Sequence, residues 1–276
     1  MRFALTQMDI VWENPVENRR LCTELTEQAA AQGCDWIVFP EMTLTGFTMH
    51  PELFAEPEGI GSSTADFFCS LSRGLSIGII YGYIAAHADS YTNRLVYVRD
   101  GMILQEYAKL HPFSFGEESK HYIAGDKLSI LSLPDICISG FICYDLRFPE
   151  IFQAVSRQAE LIVVIANWPA SRITHWHTLL QARAIENQCF ILGVNRIGIG
   201  NGLSYVPSSA AYAPTGELLA PIAGPDIPVH PNMPTNVSAN GTTLYVDLNP
   251  SDALHYRESF PLKADRRESL YQTFYH

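Results

Sequence analysis

The chain has 276 residues, with 18 Lys and Arg against 29 Asp and Glu, and a formal net charge of −11. That acidity argues against nucleic acid or an anionic membrane as the main partner, because both reward basic surface. With 47% apolar and 17% charged residues, the chain has ample material for a core and is not a disordered one.

Phe3 to Met8 reads as a strand. Asn14-Pro15 has the form of an N-cap and first helical residue, and Gly33 that of a helix stop. The helix between them is expected to turn Val16, Leu21 and Leu25 inward. Trp36-Ile37-Val38-Phe39 is a short buried strand halted by Pro40, and Ser63 opens a second helix that ends near Gly74. Ile77 to Ile84 and Tyr91 to Val98 read as strands. Asp100-Gly101 is a type I′ hairpin signal, with Ile103 to Ala108 as the return strand. Leu128 to Leu133 and Ile136 to Ile142 form a further hairpin. Pro149 opens a helix, Leu161 to Ala166 is an apolar strand, Thr174 to Asn187 a helix and Phe190 to Asn195 a strand. Ser209 to Ala213 and Leu218 to Ala220 flank the turn Pro214-Thr215-Gly216. Pro and Gly cluster in a surface excursion between Pro221 and Pro234, and a short strand follows near Thr243 to Val246.

Helices alternating with strands and hairpins indicate an α/β fold of layered mixed sheets rather than an all-parallel doubly wound sheet. No linker-like shift in composition divides the chain, so residues 1–276 are expected to form one domain. No run approaches the ~18 consecutive apolar residues of a membrane span. The N-terminus lacks a secretory apolar region. Six cysteines at 22, 34, 69, 137, 143 and 189, with no CxxC pair, are expected to be reduced, and the expected location is cytoplasmic.

Three residues share a position just beyond a buried-looking strand: Glu41, Lys109 and Cys143. Strand ends are where rigid scaffolds present reactive groups. A charge abutting an apolar strand is costly to bury unless paired, and Glu41 and Lys109 can pair with each other. A nearby cation and a helix dipole could lower the Cys143 thiol. Carboxylate, ammonium and thiol together suffice for acyl transfer, as base, oxyanion partner and nucleophile. Taken singly, a cysteine more often packs as a small hydrophobe and a Glu or Lys more often marks a solvated strand end.

Phe39-Pro40-Glu41-Met42-Thr43-Leu44-Thr45-Gly46-Phe47, Tyr107-Ala108-Lys109-Leu110-His111 and Cys143-Tyr144-Asp145-Leu146-Arg147-Phe148-Pro149-Glu150 resemble, in order, the glutamate, lysine and cysteine motifs of the carbon–nitrogen hydrolase (nitrilase) superfamily. Their spacings, about 70 and 35 residues, also fit. Ala166-Asn167-Trp168-Pro169 with Arg172, His175 and Trp176, and Gln181 to Gln188, are similar to the omega-amidase branch. The resemblance implies an αββα four-layer sandwich, a homodimer or higher homo-oligomer, and no metal or organic cofactor. It implies hydrolysis of a small linear amide, an omega-amide of a short dicarboxylic acid, through a cysteine thioester. The catalytic residues it implies are Glu41, Lys109 and Cys143, with Glu118 as the second glutamate ahead of Gly125-Asp126. Lys109 and the Tyr144 backbone N–H would hold the oxyanion. The expected substrate-binding residues are Arg172, Trp168, Phe47 and Phe113. The alternatives are a nitrilase acting on a small nitrile and a non-catalytic scaffold member of the fold.

The chain departs from the family pattern at Pro112, at Pro207-Ser208 and in an inserted excursion from Gly224 to Asn240. His175-Trp176-His177 cannot present both imidazoles on one helix face, which disfavours a metal site. Gly198 to Gly202 reads as a turn and Asn236-Val237-Ser238 as an idle glycosylation pattern; Arg147 either pairs with a carboxylate and braces the cysteine turn or touches substrate.

Overall fold

The computed structural model describes residues 1–222 and 243–275. The Gly224–Asn240 excursion and Asn236-Val237-Ser238 therefore lie outside the described residues. In chain order the elements are β1 (Arg2–Thr6), α1 (Pro15–Ala31), β2 (Trp36–Val38), α2 (Pro51–Phe54), β3 (Glu56–Pro57), α3 (Ser63–Leu75), β4 (Gly78–His87), β5 (Ser90–Arg99) and β6 (Met102–Ala108). They continue with β7 (Ile130–Leu133), β8 (Ile136–Ile142), α4 (Pro149–Val155), β9 (Leu161–Ala166), α5 (Ile173–Asn187) and β10 (Phe190–Asn195). The last are β11 (Gly198–Gly200), β12 (Leu203–Tyr205), β13 (Ala210–Tyr212), β14 (Thr243–Asp247), α6 (Ser251–Ser259) and α7 (Glu268–Gln272).

Among the described residues, a seven-stranded sheet runs in the order β14-β1-β2-β4-β5-β6, with β3 paired to β4, and a five-stranded sheet runs β13-β10-β9-β8-β7. Both are mixed: β1, β2 and β4 are parallel, as are β8, β9 and β10, and antiparallel strands flank each trio. Side chains alternate across the first sheet, as a two-residue repeat requires. Phe3, Leu5, Trp36, Val38, Ile80, Leu95 and Tyr97 join the core shared with β8, β9 and β10. Their neighbours Ala4, Ile37, Ile79, Tyr81, Val96 and Val98 pack with Cys22, Leu25 and Ala29 of α1 and Phe68 of α3. On the second sheet, Trp176, Leu180 and Ala184 of α5 and Phe152 of α4 enter the shared core. The layers are thus helices, sheet, sheet, helices. The sheets approach so closely that a Cβ on Gly140 of β8 would lie 2.2 Å from the Tyr97 hydroxyl of β5.

Local signals explain the element ends. The Asn14 side chain accepts from the Glu17 N–H, and Pro15 opens α1. Asp100 and Gly101 both take positive φ, 53° and 76°, as a type I′ turn demands. One face assignment is corrected. Val16 is 80% exposed, while Asn18, Cys22, Leu25 and Ala29 are buried. At about 100° per residue, Val16 falls on the side of the helix away from that face. Residues 198–205 form a hairpin rather than a simple turn, with Asn201 and Gly202 at its tip. Leu218 makes only an isolated bridge to Tyr212, so the expected strand there is not formed.

Candidate active site

Glu41 follows β2, Lys109 follows β6, Cys143 follows β8 and Asn167 follows β9. Strand direction brings all four to one edge of the sandwich. β6 runs the same way as β4, because each is antiparallel to β5. β5 begins at that same edge, which places Asn93 beside them, its carbonyl accepting from the Lys109 N–H at 2.9 Å.

The Glu41 turn needs space that only glycine leaves. A Cβ on Gly82 of β4 would lie 2.6 Å from the Met42 nitrogen and 3.1 Å from the Glu41 Cα. Met42 takes φ 46° and Cys143 takes φ 48°. Such left-handed residues other than glycine cost about 1–3 kcal/mol each and persist only where surrounding structure over-determines them.

Glu41 and Glu118 are fully buried and Lys109 is 1% exposed. The Lys109 Nζ lies 2.9 Å from Glu41 Oε1 and 3.0 and 2.8 Å from the two Glu118 oxygens. Asn93 Nδ2 donates to Glu41 Oε1 at 2.8 Å and to Glu118 Oε1 at 3.0 Å. The Asn167 N–H donates to Glu41 Oε2 at 2.9 Å, and the Phe113 N–H donates to Glu118 Oε2 at 2.6 Å. Glu41 and Lys109 therefore pair as expected, and Glu118 completes a three-charge cluster held by neutral donors.

Burial alone would push the Lys109 ammonium down. The carboxylates of Glu118 and Glu41 outweigh it, and the group stays charged well above the usual lysine range. Burial raises Glu118, with Lys109 pulling it down and Glu41 pushing it up. The Cys143 thiol is also pushed well above its ordinary value, by burial first and then by Glu41, against the pull of Lys109. This corrects the expectation of a lowered thiol. The cation is present, but the same site that desolvates the sulfur also holds two carboxylates. Cys143 rests as a thiol and would need a base in order to act as a nucleophile. We therefore expect alkylation of Cys143 by iodoacetamide, followed by peptide mass spectrometry, to keep accelerating above pH 9. A plateau below pH 8 would contradict that protonation state.

Cys143 opens into a cavity of about 140 Å3. Phe47, Phe113, Trp168 and Arg172 all line it, as do Tyr144, Arg147 and Tyr205. The Phe47 ring lies 5.3 Å from the Lys109 Nζ. The Arg172 guanidinium sits 5.5 Å over the Phe113 ring, and Trp168 Nε1 donates to the Arg172 carbonyl at 2.8 Å. Of the two expectations for Arg147, pairing with a carboxylate is not met among the described residues, and its place in the cavity lining fits the other. It lies 4.8 Å over the Trp168 ring and contacts His175 Nδ1 at 3.3 Å. The brace is Arg183 of α5, whose NH2 donates to the Leu146 carbonyl at 2.8 Å. Among the described residues, neither Arg147 nor Arg172 has a carboxylate partner.

Sequence reasoning passed over Asn93, Asp145 and Arg183. Asn is depleted in strands, so Asn93 inside β5 carried a signal. Arg183 lies inside a motif whose helical face could not be assigned without its neighbours. Phe113, directly after Pro112, donates its N–H to Glu118. Ser208 and Ser209 are buried, Ser208 accepting from Asn195 Nδ2 at 2.9 Å.

The carbon-nitrogen hydrolase family matches residues 2–226. The chain belongs to the carbon–nitrogen hydrolase family. An omega-amidase, YafV, from Escherichia coli K12 is 32% identical over 270 residues, covering 97% of each chain. A 2-oxoglutaramate amidase of Bacillus subtilis is 30% identical over 268 residues, covering 96% of this chain and 97% of its own. Among solved structures, XC1258 of Xanthomonas campestris, a CN-hydrolase superfamily protein with an arsenic adduct in its active site, superposes with a TM-score of 0.84. It is 29% identical and is covered over 97% of its length, with 96% of this chain. The αββα sandwich implied by the sequence motifs is therefore the family fold. No helix among the described residues is long and apolar enough to cross a membrane.

Proposed function

We propose that the protein is an omega-amidase, hydrolysing the terminal amide of a short dicarboxylic acid monoamide to the acid and ammonia. The observation that carries the reading is the Lys109 ammonium held between Glu41 and Glu118 beside a cysteine that opens into a cavity with two guanidinium groups. The likeness to omega-amidase and 2-oxoglutaramate amidase relatives supports the substrate class.

The chemistry follows from the charges. Glu41 takes the Cys143 proton as the sulfur attacks the amide carbon. Negative charge develops on the former carbonyl oxygen, where the Lys109 ammonium and the Tyr144 N–H can meet it. Tyr144 lies in the first turn of a 3-10 helix over Cys143–Arg147, where backbone donors lack a partner within the helix. Glu41 returns its proton to the nitrogen, the C–N bond breaks, and ammonia leaves a thioester. Glu41, assisted by Glu118, then takes a proton from water, hydroxide adds to the thioester, and the C–S bond breaks to give acid and thiol. A homo-oligomeric assembly belongs to the same reading and rests on the family likeness; a cytoplasmic location is supported by six cysteines with no disulfide among them.

Ammonia release from a panel of amides and nitriles tests it. Succinamate is expected to be turned over faster than butyramide, and butyramide faster than any nitrile. Release from nitriles alone would replace the amidase with a nitrilase.

Arg172 is the proposed partner of the substrate's free carboxylate, because a guanidinium fork holds a carboxylate at two points. Arg172→Met is expected to raise KM for succinamate about tenfold or more while leaving butyramide nearly unchanged. Only the former loses a charge-assisted bond of roughly 1.5–3 kcal/mol. Equal effects on both substrates would pass the role to Arg147.

A further inference from the structure

A buried carboxylate with no part in the proposed chemistry sits two residues beyond Cys143. Asp145 is fully buried and accepts four hydrogen bonds from two separate stretches of chain. Its Oδ2 accepts from the Ile142 N–H at 3.1 Å and from the Tyr107 hydroxyl at 2.8 Å. Its Oδ1 accepts from the His111 N–H at 3.0 Å and from His111 Nδ1 at 2.8 Å. The Tyr107 hydroxyl in turn accepts from the Leu110 N–H at 3.2 Å. The His111 ring stacks on Phe148 at 3.7 Å, with 12° between the planes.

The pattern of these contacts is specific. Ile142 and Asp145 bracket Cys143, whereas Tyr107, Leu110 and His111 bracket Lys109. One carboxylate thus joins the turn that carries the thiol to the turn that carries the ammonium. Cys143 holds a left-handed φ that it would not adopt unaided.

We infer that Asp145 is a positioning residue that, through Tyr107 and His111, sets the Cys143 thiol against Lys109 and Glu41. The inference rests on Cys143 being the nucleophile of the proposed amidase. Asp145→Asn tests it with almost no change in volume. Each carboxylate oxygen receives a main-chain N–H that cannot rotate away, so the amide NH2 of Asn faces a donor whichever way it turns.

The expected result for a folded Asp145→Asn protein is a loss of about fiftyfold or more in kcat on succinamate, with KM within threefold of wild type. The pH midpoint for iodoacetamide labelling of Cys143 should move down toward the ordinary thiol value of about 8.5, because a displaced sulfur leaves its desolvated position and then the carboxylates beside it. Tyr107→Phe removes one of the four donors without creating a clash. It should cause a smaller kcat loss and a smaller shift in the same direction. Wild-type kcat in folded Asp145→Asn would overturn the inference, as would lost stability with an unmoved labelling profile. Should Asp145→Asn fail to fold, an unmoved profile and unchanged kcat in Tyr107→Phe would overturn it. If wild-type protein released no ammonia from succinamate, the amidase reading would fail separately, and the labelling profiles would still decide the role of Asp145.

Discussion

Cys143→Ala is expected to abolish turnover, with kcat down about a thousandfold or more, in a protein that folds normally. Without sulfur no thioester can form, and the remaining groups offer only binding and a poised base. The fold should survive because Cys143 as a residue is only partly buried and its sulfur's hydrogen bond to the Asn167 carbonyl is long, 4.0 Å. Alanine accepts the same left-handed φ at no greater strain than cysteine. Steady-state ammonia release and a thermal melt, run on the same preparation, check both halves. Substantial residual activity would sink the covalent mechanism and leave Glu41 activating water directly.

Replacing Lys109 separates charge from geometry. Lys109→Arg keeps the positive charge between two buried carboxylates, so the protein should stay folded. The guanidinium is planar and wide, however, and cannot reproduce a compact ammonium packed against three carboxylate oxygens and the Phe47 ring. A loss of at least about a hundredfold in kcat is expected, on the scale of removing one oxyanion donor. Lys109→Met goes further, leaving Glu41 and Glu118 facing each other without a cation. Breaking a buried ion pair in this way costs roughly 3–5 kcal/mol of stability, so the melting temperature should fall for Met but much less for Arg. Near-normal kinetics for Lys109→Arg would reduce Lys109 to a counter-charge for the two glutamates.

The local punctuation of the chain was legible in its residues. Asn14-Pro15 starts a helix, Asp100-Gly101 turns a hairpin, and the apolar run Leu161–Ala166 is a strand at those very bounds. Each is decided within a few residues by capping, by permitted φ or by β-branched packing, so no distant partner is needed. Glu41, Lys109 and Cys143 were legible for a related reason: each is a reactive group placed immediately after an apolar strand, and their motifs identified the family. Only the tertiary structure decided what surrounds them. Asn93 and Glu118 meet across 25 positions of chain, Tyr107 and Asp145 across 38, and Asn167 and Glu41 across 126. The direction of the Cys143 shift depended on how deeply two sheets bury the sulfur and on how many carboxylates share its site. Arg147 lies over the Trp168 ring at the cavity, while Arg183, 36 residues further on in α5, donates to the Leu146 carbonyl of the cysteine turn. Burial and long-range pairing belong to the packed sheets, and a one-dimensional pattern holds them only after the strands have been placed side by side.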